Sequence, residues 1–67
     1  MKFNKNSYAL FNRDYELYQG FIFPKGKGMF VEVHDDFGFV TLRGVDANYR
    51  VPHEVLSTTE KYKLLGD

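Results

Sequence analysis

The fold is decided by two alternating segments that a pair of aspartates separates. They run Gly28-Met29-Phe30-Val31-Glu32-Val33-His34, then Asp35-Asp36, then Phe37-Gly38-Phe39-Val40-Thr41-Leu42-Arg43. Alternating residues on both sides of a turn-forming pair are typical of a β-hairpin. The sequence therefore predicts two antiparallel strands over residues 28–34 and 37–43.

Side-chain alternation along this hairpin predicts two different faces. For a two-residue or a four-residue loop alike, one face holds Met29, Val31, Val33, Gly38, Val40 and Leu42, and we expect it to be core. The other face holds Phe30, Glu32, His34, Phe37, Phe39, Thr41 and Arg43. Its three Phe rings need a cover, either from the N-terminal segment through Phe3, Tyr8 or Phe11, or from a binding partner.

Shorter β segments flank the hairpin on both sides. Upstream, we expect a strand over 21–23 that Pro24 ends, followed by a glycine-containing turn over 25–28. Downstream, the pattern predicts a strand at 49–51. We expect a 3₁₀ turn over 52–55, because a proline opens a segment that is too short for an α-helix.

The two ends of the chain are less regular. Four aromatic residues recur at helical spacing, yet residues 8–18 also divide into two strand-like pieces, and we expect extended structure there. Residues 1–7 are predicted to form a flexible arm. Capping-box spacing predicts a short helix or a tail over 58–67.

Length and composition limit the chain to one domain, 1–67. Sixty-seven residues support one core, because a domain near this size buries only about 60% of its unfolded surface. Cysteine is absent, so seven Phe and five Tyr must supply much of that core. The sequence thus predicts a small, mostly-β domain whose stability depends on aromatic packing.

Charge and hydropathy exclude several classes of function. Nine basic and nine acidic side chains cancel, which removes the usual reason to expect tight binding to duplex DNA or an anionic membrane. The sequence has neither a signal-peptide apolar region nor a stretch long enough for a membrane span. We therefore predict a cytoplasmic protein without membrane contact.

The order of these elements resembles a Src-homology-3 (SH3-like) barrel. Three stretches carry the resemblance. The opening motif ALYDY of the family is similar to Ala9-Leu10-Phe11 with Asp14-Tyr15, and its F-x-K-G diverging turn is similar to Phe23-Pro24-Lys25-Gly26. The closing stretch G-Y-I-P-S-N-Y-V is similar to Tyr49-Arg50-Val51-Pro52-His53-Glu54-Val55-Leu56. The resemblance implies a five-stranded SH3-like barrel with a 3₁₀ turn before its last strand.

Two departures bear on what such a domain would bind. The chain has no Trp, and Val55 stands where the groove of the family has a Tyr. Because those rings help to grip polyproline helices, the resemblance does not imply that class of ligand.

Residues 20–42 also resemble the KOW and Tudor branches of the barrel, whose β-turn-β unit contacts RNA polymerase, ribosomes or nucleic acid.

Patterns that would indicate catalysis or metal binding are weak. The candidate metal ligands and proton carriers, His34, Asp35, Asp36, His53 and Glu54, match neither H-E-x-x-H nor a zinc finger in their spacing. The loop over 25–28 lacks the G-K-[ST] ending of a nucleotide-binding loop. We therefore predict no enzymatic activity, metal, cofactor or small-molecule substrate.

Two functions remain as hypotheses. The first is a protein-binding module, a small adaptor or an inhibitor or other regulator, whose docking surface contains Phe30, Phe37, Phe39, Tyr49 and Arg43. The alternative is a nucleic-acid-binding accessory protein, with phosphates held by Lys25, Lys27, Arg43 and Arg50. A free-standing domain this small is also typical of phage or other mobile-element products.

Overall fold

The computed structural model describes residues 3–58, which form seven short strands and one 3₁₀ turn. In chain order these elements are β1 (Tyr8–Phe11), β2 (Tyr15–Tyr18), β3 (Phe21–Phe23), β4 (Gly28–His34), β5 (Phe39–Arg43), β6 (Asn48–Pro52), the 3₁₀ turn (His53–Val55) and β7 (Leu56–Thr58). Within these residues there is no α-helix, and so none long and apolar enough to span a membrane.

The strands pair in two antiparallel sheets. Five strands lie in the order β6-β5-β4-β1-β7, and β2 pairs with β3 in a separate two-stranded sheet. The prediction of a mostly-β domain is confirmed, as are the extended structure of 8–18 and the 3₁₀ turn after Pro52. The strands number seven instead of five, and closure into a barrel stays a prediction.

The core is built from the inward faces of β1, β4, β5 and β6 and from the β2–β3 hairpin. Its fully buried side chains of largest volume are Phe11, Leu42, Val31, Val40 and Val51. The Phe11 ring stacks on the Phe23 ring with centroids 4.9 Å apart. This stacking joins the five-stranded sheet to the two-stranded one.

A β-bulge in β4 corrects the predicted alternation. Val31 faces Leu42 across the ladder, but Val33 faces Thr41 and His34 faces Val40, so the register shifts by one residue at Glu32. An inserted residue reverses which face the following side chains occupy. Val33 is therefore 49% exposed instead of buried, and His34 lies on the face of the buried Val40.

The turn between β4 and β5 has four residues, the longer of the two loop lengths that the sequence allows, and the second strand is shorter than the predicted 37–43. β5 begins at Phe39, so Phe37 and Gly38 belong to the turn instead of the strand. The Asp35 carboxylate accepts hydrogen bonds from the backbone N–H groups of Phe37 (2.8 Å) and Phe39 (3.1 Å). Gly38 has a φ of 90°, a left-handed conformation that favours glycine.

Residues from both predicted terminal segments lie in the described part of the fold, where residues 3–7 do not form the flexible arm that the sequence predicts for 1–7. Phe3 belongs to the core, and the Asn6 N–H donates to the carbonyl oxygen of Val31 at 2.7 Å. At least this part of the segment 1–7 packs against β4. Thr58 ends β7, and the rest of the predicted helix or tail, 59–67, lies outside the described residues.

Candidate protein-docking groove

An open groove of about 690 Å³ lies where the β2–β3 hairpin, the start of β4 and the β5–β6 loop meet. Its lining is mainly aromatic and aliphatic, and the side chains that shape it are Tyr8, Phe21, Ile22, Phe30, Val45 and Tyr49. A mostly apolar concave surface with a few polar groups is the usual form of a binding site. We name this feature the apolar groove.

Two glycines allow tyrosine rings to lie close against the backbone in the walls of the apolar groove. A Cβ at Gly28 would overlap the ring of Tyr8, and a Cβ at Gly44 would overlap the ring of Tyr49. The Tyr8 ring also packs edge-to-face on Phe30, with centroids 4.8 Å apart. The shape of the groove therefore depends on the absence of a side chain at these two positions.

The mouth of the apolar groove is rimmed by large hydrophobic side chains that face solvent. Ile22 is 56% exposed, Phe30 is 49% exposed and Val45 is fully exposed. Single exposed hydrophobic residues are common on protein surfaces, whereas a group of them around one concavity is typical of interaction sites and makes this groove a candidate.

The structure divides the predicted protein-docking residues between two places. Phe30, Tyr49 and Arg43 line the apolar groove. Phe37 and Phe39 do not: Phe37 is 81% exposed in the β4–β5 turn, and Phe39 lies in β5 just after it. The five residues therefore do not form one continuous docking surface.

The predicted phosphate-binding cations are also divided. Lys27 lines the apolar groove. Lys25 precedes Lys27 by two residues in the turn between β3 and β4. The guanidinium of Arg43 is held by Glu32 at 2.7 Å and by the side-chain oxygen of Asn6 at 2.8 Å. These contacts already occupy much of the hydrogen-bonding capacity of Arg43.

Arg50 is held in the same way, at a distance from the apolar groove. Its Nη2 donates to Asp35 Oδ2 at 2.9 Å, and its guanidinium carbon lies 4.2 Å from the centroid of the Phe39 ring. Both contacts use the charge of Arg50 inside the domain. A phosphate would have to compete with the Asp35 carboxylate for this side chain.

The two arginine-paired carboxylates have shifted pKa values. The hydrogen bond from Arg43 is the main cause that lowers the pKa of Glu32; partial burial opposes it, and Lys5 at 3.6 Å adds to it. Partial burial raises the pKa of Asp35, but hydrogen bonds from Arg50 and from two backbone N–H groups outweigh it and lower the pKa. Both acids are therefore more readily ionised in the folded chain.

These shifts predict how stability depends on pH. Because each folded pKa lies below the unfolded one, the ion pairs stabilise the fold above the unfolded pKa and lose that effect as the pH falls through the folded pKa. We expect the free energy of unfolding, measured by urea titration, to fall on acidification below about pH 4. The Glu32→Gln and Asp35→Asn double variant should show a flatter profile; an unchanged profile would contradict the assignment.

Sequence reasoning did not name most of the groove lining as site residues, including Tyr8, Phe21, Ile22, Val45 and Asp46. A signal for two of them was present. Ile22 lies between two Phe residues in a strand, so alternation turns it away from its neighbours, and Val45 is an apolar residue in a polar loop. The convergence of both on one groove depends on tertiary structure.

The candidate metal ligands do not converge in the described part of the chain. The rings of His34 and His53 lie 5.5 Å apart between centroids. The His34 Nδ1 accepts a hydrogen bond from the backbone N–H of Phe3 at 2.8 Å. Over residues 3–58, no group of three or more His, Cys, Asp or Glu side chains is placed to hold a metal ion.

Comparison with known proteins does not name a relative. No protein-family model matches the sequence, and neither a curated protein nor a solved structure matches the chain. Function therefore has to follow from the chemistry of the apolar groove and its rim.

Proposed function

We propose that this chain is a non-enzymatic protein-binding module, an adaptor or an inhibitor of a larger complex, whose partner docks in the apolar groove. The observation that carries the proposal is the exposure of Ile22, Phe30 and Val45 around one concave apolar surface. At protein interfaces a few buried anchors, aromatic residues prominent among them, provide most of the binding energy, and the contacts around them exclude water. The domain itself gains nothing from leaving them in water.

The same proposal includes an SH3-like fold. Its support is the strand order, in which the last strand β7 pairs with the first strand β1 and follows directly on a 3₁₀ turn. The β2–β3 hairpin joins the stretch that is similar to ALYDY to the one that is similar to the diverging turn. Fold alone does not imply a ligand, so the docking proposal depends on the groove.

A protein partner is better supported than nucleic acid. Of the four cations predicted to hold phosphates, Arg43 and Arg50 are already paired with carboxylates. Nucleic-acid affinity depends on several cations that are available to phosphates. Of the three exposed rim residues, Ile22 and Val45 are aliphatic, and only Phe30 offers a ring on which a base could stack.

A binding function also suits the chemistry of the lining better than catalysis does. As far as residues 3–58 define the groove, its lining contains no Ser, Thr, Cys or His. Histidine is the most frequent general base, and Ser, Thr and Cys are common nucleophiles. We therefore assign the groove to recognition.

Two residues of β4 provide a matched test of the proposal. Phe30 and Val33 are both 49% exposed, but only Phe30 lines the apolar groove. Phe30→Ala should weaken partner binding about 30-fold, the effect of removing an interface anchor worth about 2 kcal/mol. Val33→Ala should leave partner binding within about twofold of the original chain, as substitutions outside the anchors usually do.

The measurement is quantitative affinity capture from a native lysate treated with nuclease, with mass spectrometry of the retained proteins. Urea titration of each variant checks that the fold is retained, since Phe30→Ala loses about 1 kcal/mol with the Tyr8 ring contact and also loses the burial of half of the Phe30 side chain. Equal capture by the two variants would contradict docking in the groove. Capture that nuclease abolishes would favour the nucleic-acid alternative.

A further inference from the structure

Some charged side chains near the apolar groove have a hydrogen-bond or ion-pair partner within the domain, and others have none. This difference indicates which charge the docking partner has. Within residues 3–58, every Lys and Arg side chain outside the β3–β4 turn is held: Lys5 and Arg43 by Glu32, Arg50 by Asp35, and Arg13 by Asn12 and the carbonyl oxygen of Glu54. The ammonium groups of Lys25 and Lys27 have no such partner among these residues. Both unpaired cations therefore lie in one turn, and Lys27 of that turn lines the groove.

The turn that carries these two lysines is fixed to the sheet by its backbone. The Lys27 N–H donates to the carbonyl oxygen of Pro24 at 3.0 Å, which closes the turn. Two further bonds join the turn to β1: the Gly26 N–H donates to the Phe11 oxygen at 2.8 Å, and the Phe11 N–H donates to the Lys27 oxygen at 2.9 Å. Lys27 is thus presented beside the groove from a backbone held in one place.

The opposite sign of charge is presented by the β5–β6 loop. Asp46 lines the groove from that loop, and no hydrogen bond or ion pair holds its carboxylate within residues 3–58. A carboxylate on the partner would be repelled near Asp46 and attracted near Lys27. The rim therefore favours a partner carboxylate beside Lys27 over one beside Asp46.

We infer that the partner segment is an apolar peptide with Asp or Glu at the end that lies against the β3–β4 turn. The inference rests on the proposed function, because it names the chemistry of the partner that docks in the groove. Carboxylates on the partner would satisfy Lys25 and Lys27, and the hydrophobic rim would take the apolar side chains. Charge complementarity of this kind adds specificity and speeds association.

The test is selection of short randomised peptides, displayed on phage, against the purified full-length chain. Peptides selected by the original chain should combine apolar anchors with Asp or Glu at one end. The Lys25→Glu and Lys27→Glu double variant should select Lys or Arg at that end instead. Apolar peptides without acidic enrichment would overturn the inference and leave groove docking intact.

The affinities of the original chain and its lysine variants for one selected acidic peptide then distinguish the effect of the lysine charges from the effect of side-chain shape. By fluorescence anisotropy, the double variant should bind it about tenfold more weakly, while Lys27→Arg should bind it within about twofold because the charge is retained. The difference should shrink in high salt, since exposed charges are screened. Equal binding by the original chain and the double variant would contradict a role for the two lysines.

Two further measurements distinguish failure of this inference from failure of the proposed function. If no selected peptide loses affinity with Phe30→Ala, the groove is not the docking site and both proposals fail. If a labelled oligothymidine displaces the peptide with a steep salt dependence, the two lysines serve nucleic acid instead. We expect the oligothymidine to leave the peptide bound.

Discussion

Replacing Phe11 with alanine should remove a large fraction of the free energy of unfolding of the domain. Phe11 is fully buried and stacks on Phe23 at 4.9 Å and on Tyr15 at 6.3 Å, so it links β1 to the β2–β3 hairpin. Truncating a buried Phe costs about 3–5 kcal/mol. A chain of this length is expected to have about 3–10 kcal/mol of total stability.

The loss is measured by urea titration with circular dichroism and tyrosine fluorescence as two independent probes. Tyr18→Ala is the matched control, because Tyr18 is an aromatic residue of the same hairpin that is 62% exposed. It should change the free energy of unfolding by less than about 1 kcal/mol, as surface substitutions usually do. A Phe11→Ala variant as stable as Tyr18→Ala would mean that the two sheets do not share this core.

Leu42→Ala should cost about 2–5 kcal/mol, while Val33→Ala should cost less than about 1 kcal/mol. Leu42 is fully buried opposite Val31, and the bulge leaves Val33 half exposed opposite Thr41. Uninterrupted alternation would instead bury both side chains on one face. The pair of variants therefore tests the bulge directly.

Urea titration gives the two values, and Leu42→Ile controls for the loss of volume. Leu42→Ile should cost less than about 1.5 kcal/mol, because it keeps the size of the side chain and changes only its shape. If Val33→Ala is as destabilising as Leu42→Ala, the register shift at Glu32 is absent in solution.

The hairpin could be predicted from sequence, but the bulge could not. Alternation from Gly28 to Arg43 identifies strands that β4 and β5 confirm, with a turn at the two aspartates. A bulge inserts one residue without changing which residue types occur, so the pattern remains compatible with a regular ladder. His34 and Val33 consequently exchanged faces relative to the prediction.

The candidate site was predicted only in part, because residues on the same face of a strand can lie too far apart to share one site. Alternation groups Phe30, Phe39 and Arg43 on one face, and the ladder does place Phe30 directly opposite Arg43. Phe39, however, is four residues from Arg43 in β5, or about 13 Å at ~3.3 Å per residue. A shared face is therefore not a shared site, and only Phe30 and Arg43 reach the apolar groove.

The contribution of the β5–β6 loop to the groove depends on long-range packing. The ring of Tyr49 packs on Phe21 and Phe23 of the hairpin, with centroid distances of 5.4 Å in both cases. These contacts bring β6 and the loop before it against β3. The sequence identifies Tyr49 as aromatic, but it does not specify which rings it meets.

The most direct test of groove docking is photo-crosslinking from two exposed positions. A benzophenone amino acid replaces Val45, which is fully exposed on the groove rim, or Phe37, which is 81% exposed in the β4–β5 turn outside the groove. In nuclease-treated lysate we expect a discrete protein adduct from position 45, competed by the unmodified chain and absent with Phe30→Ala, and none from position 37. Equal adducts from both positions, or an adduct from position 37 alone, would contradict docking in the apolar groove.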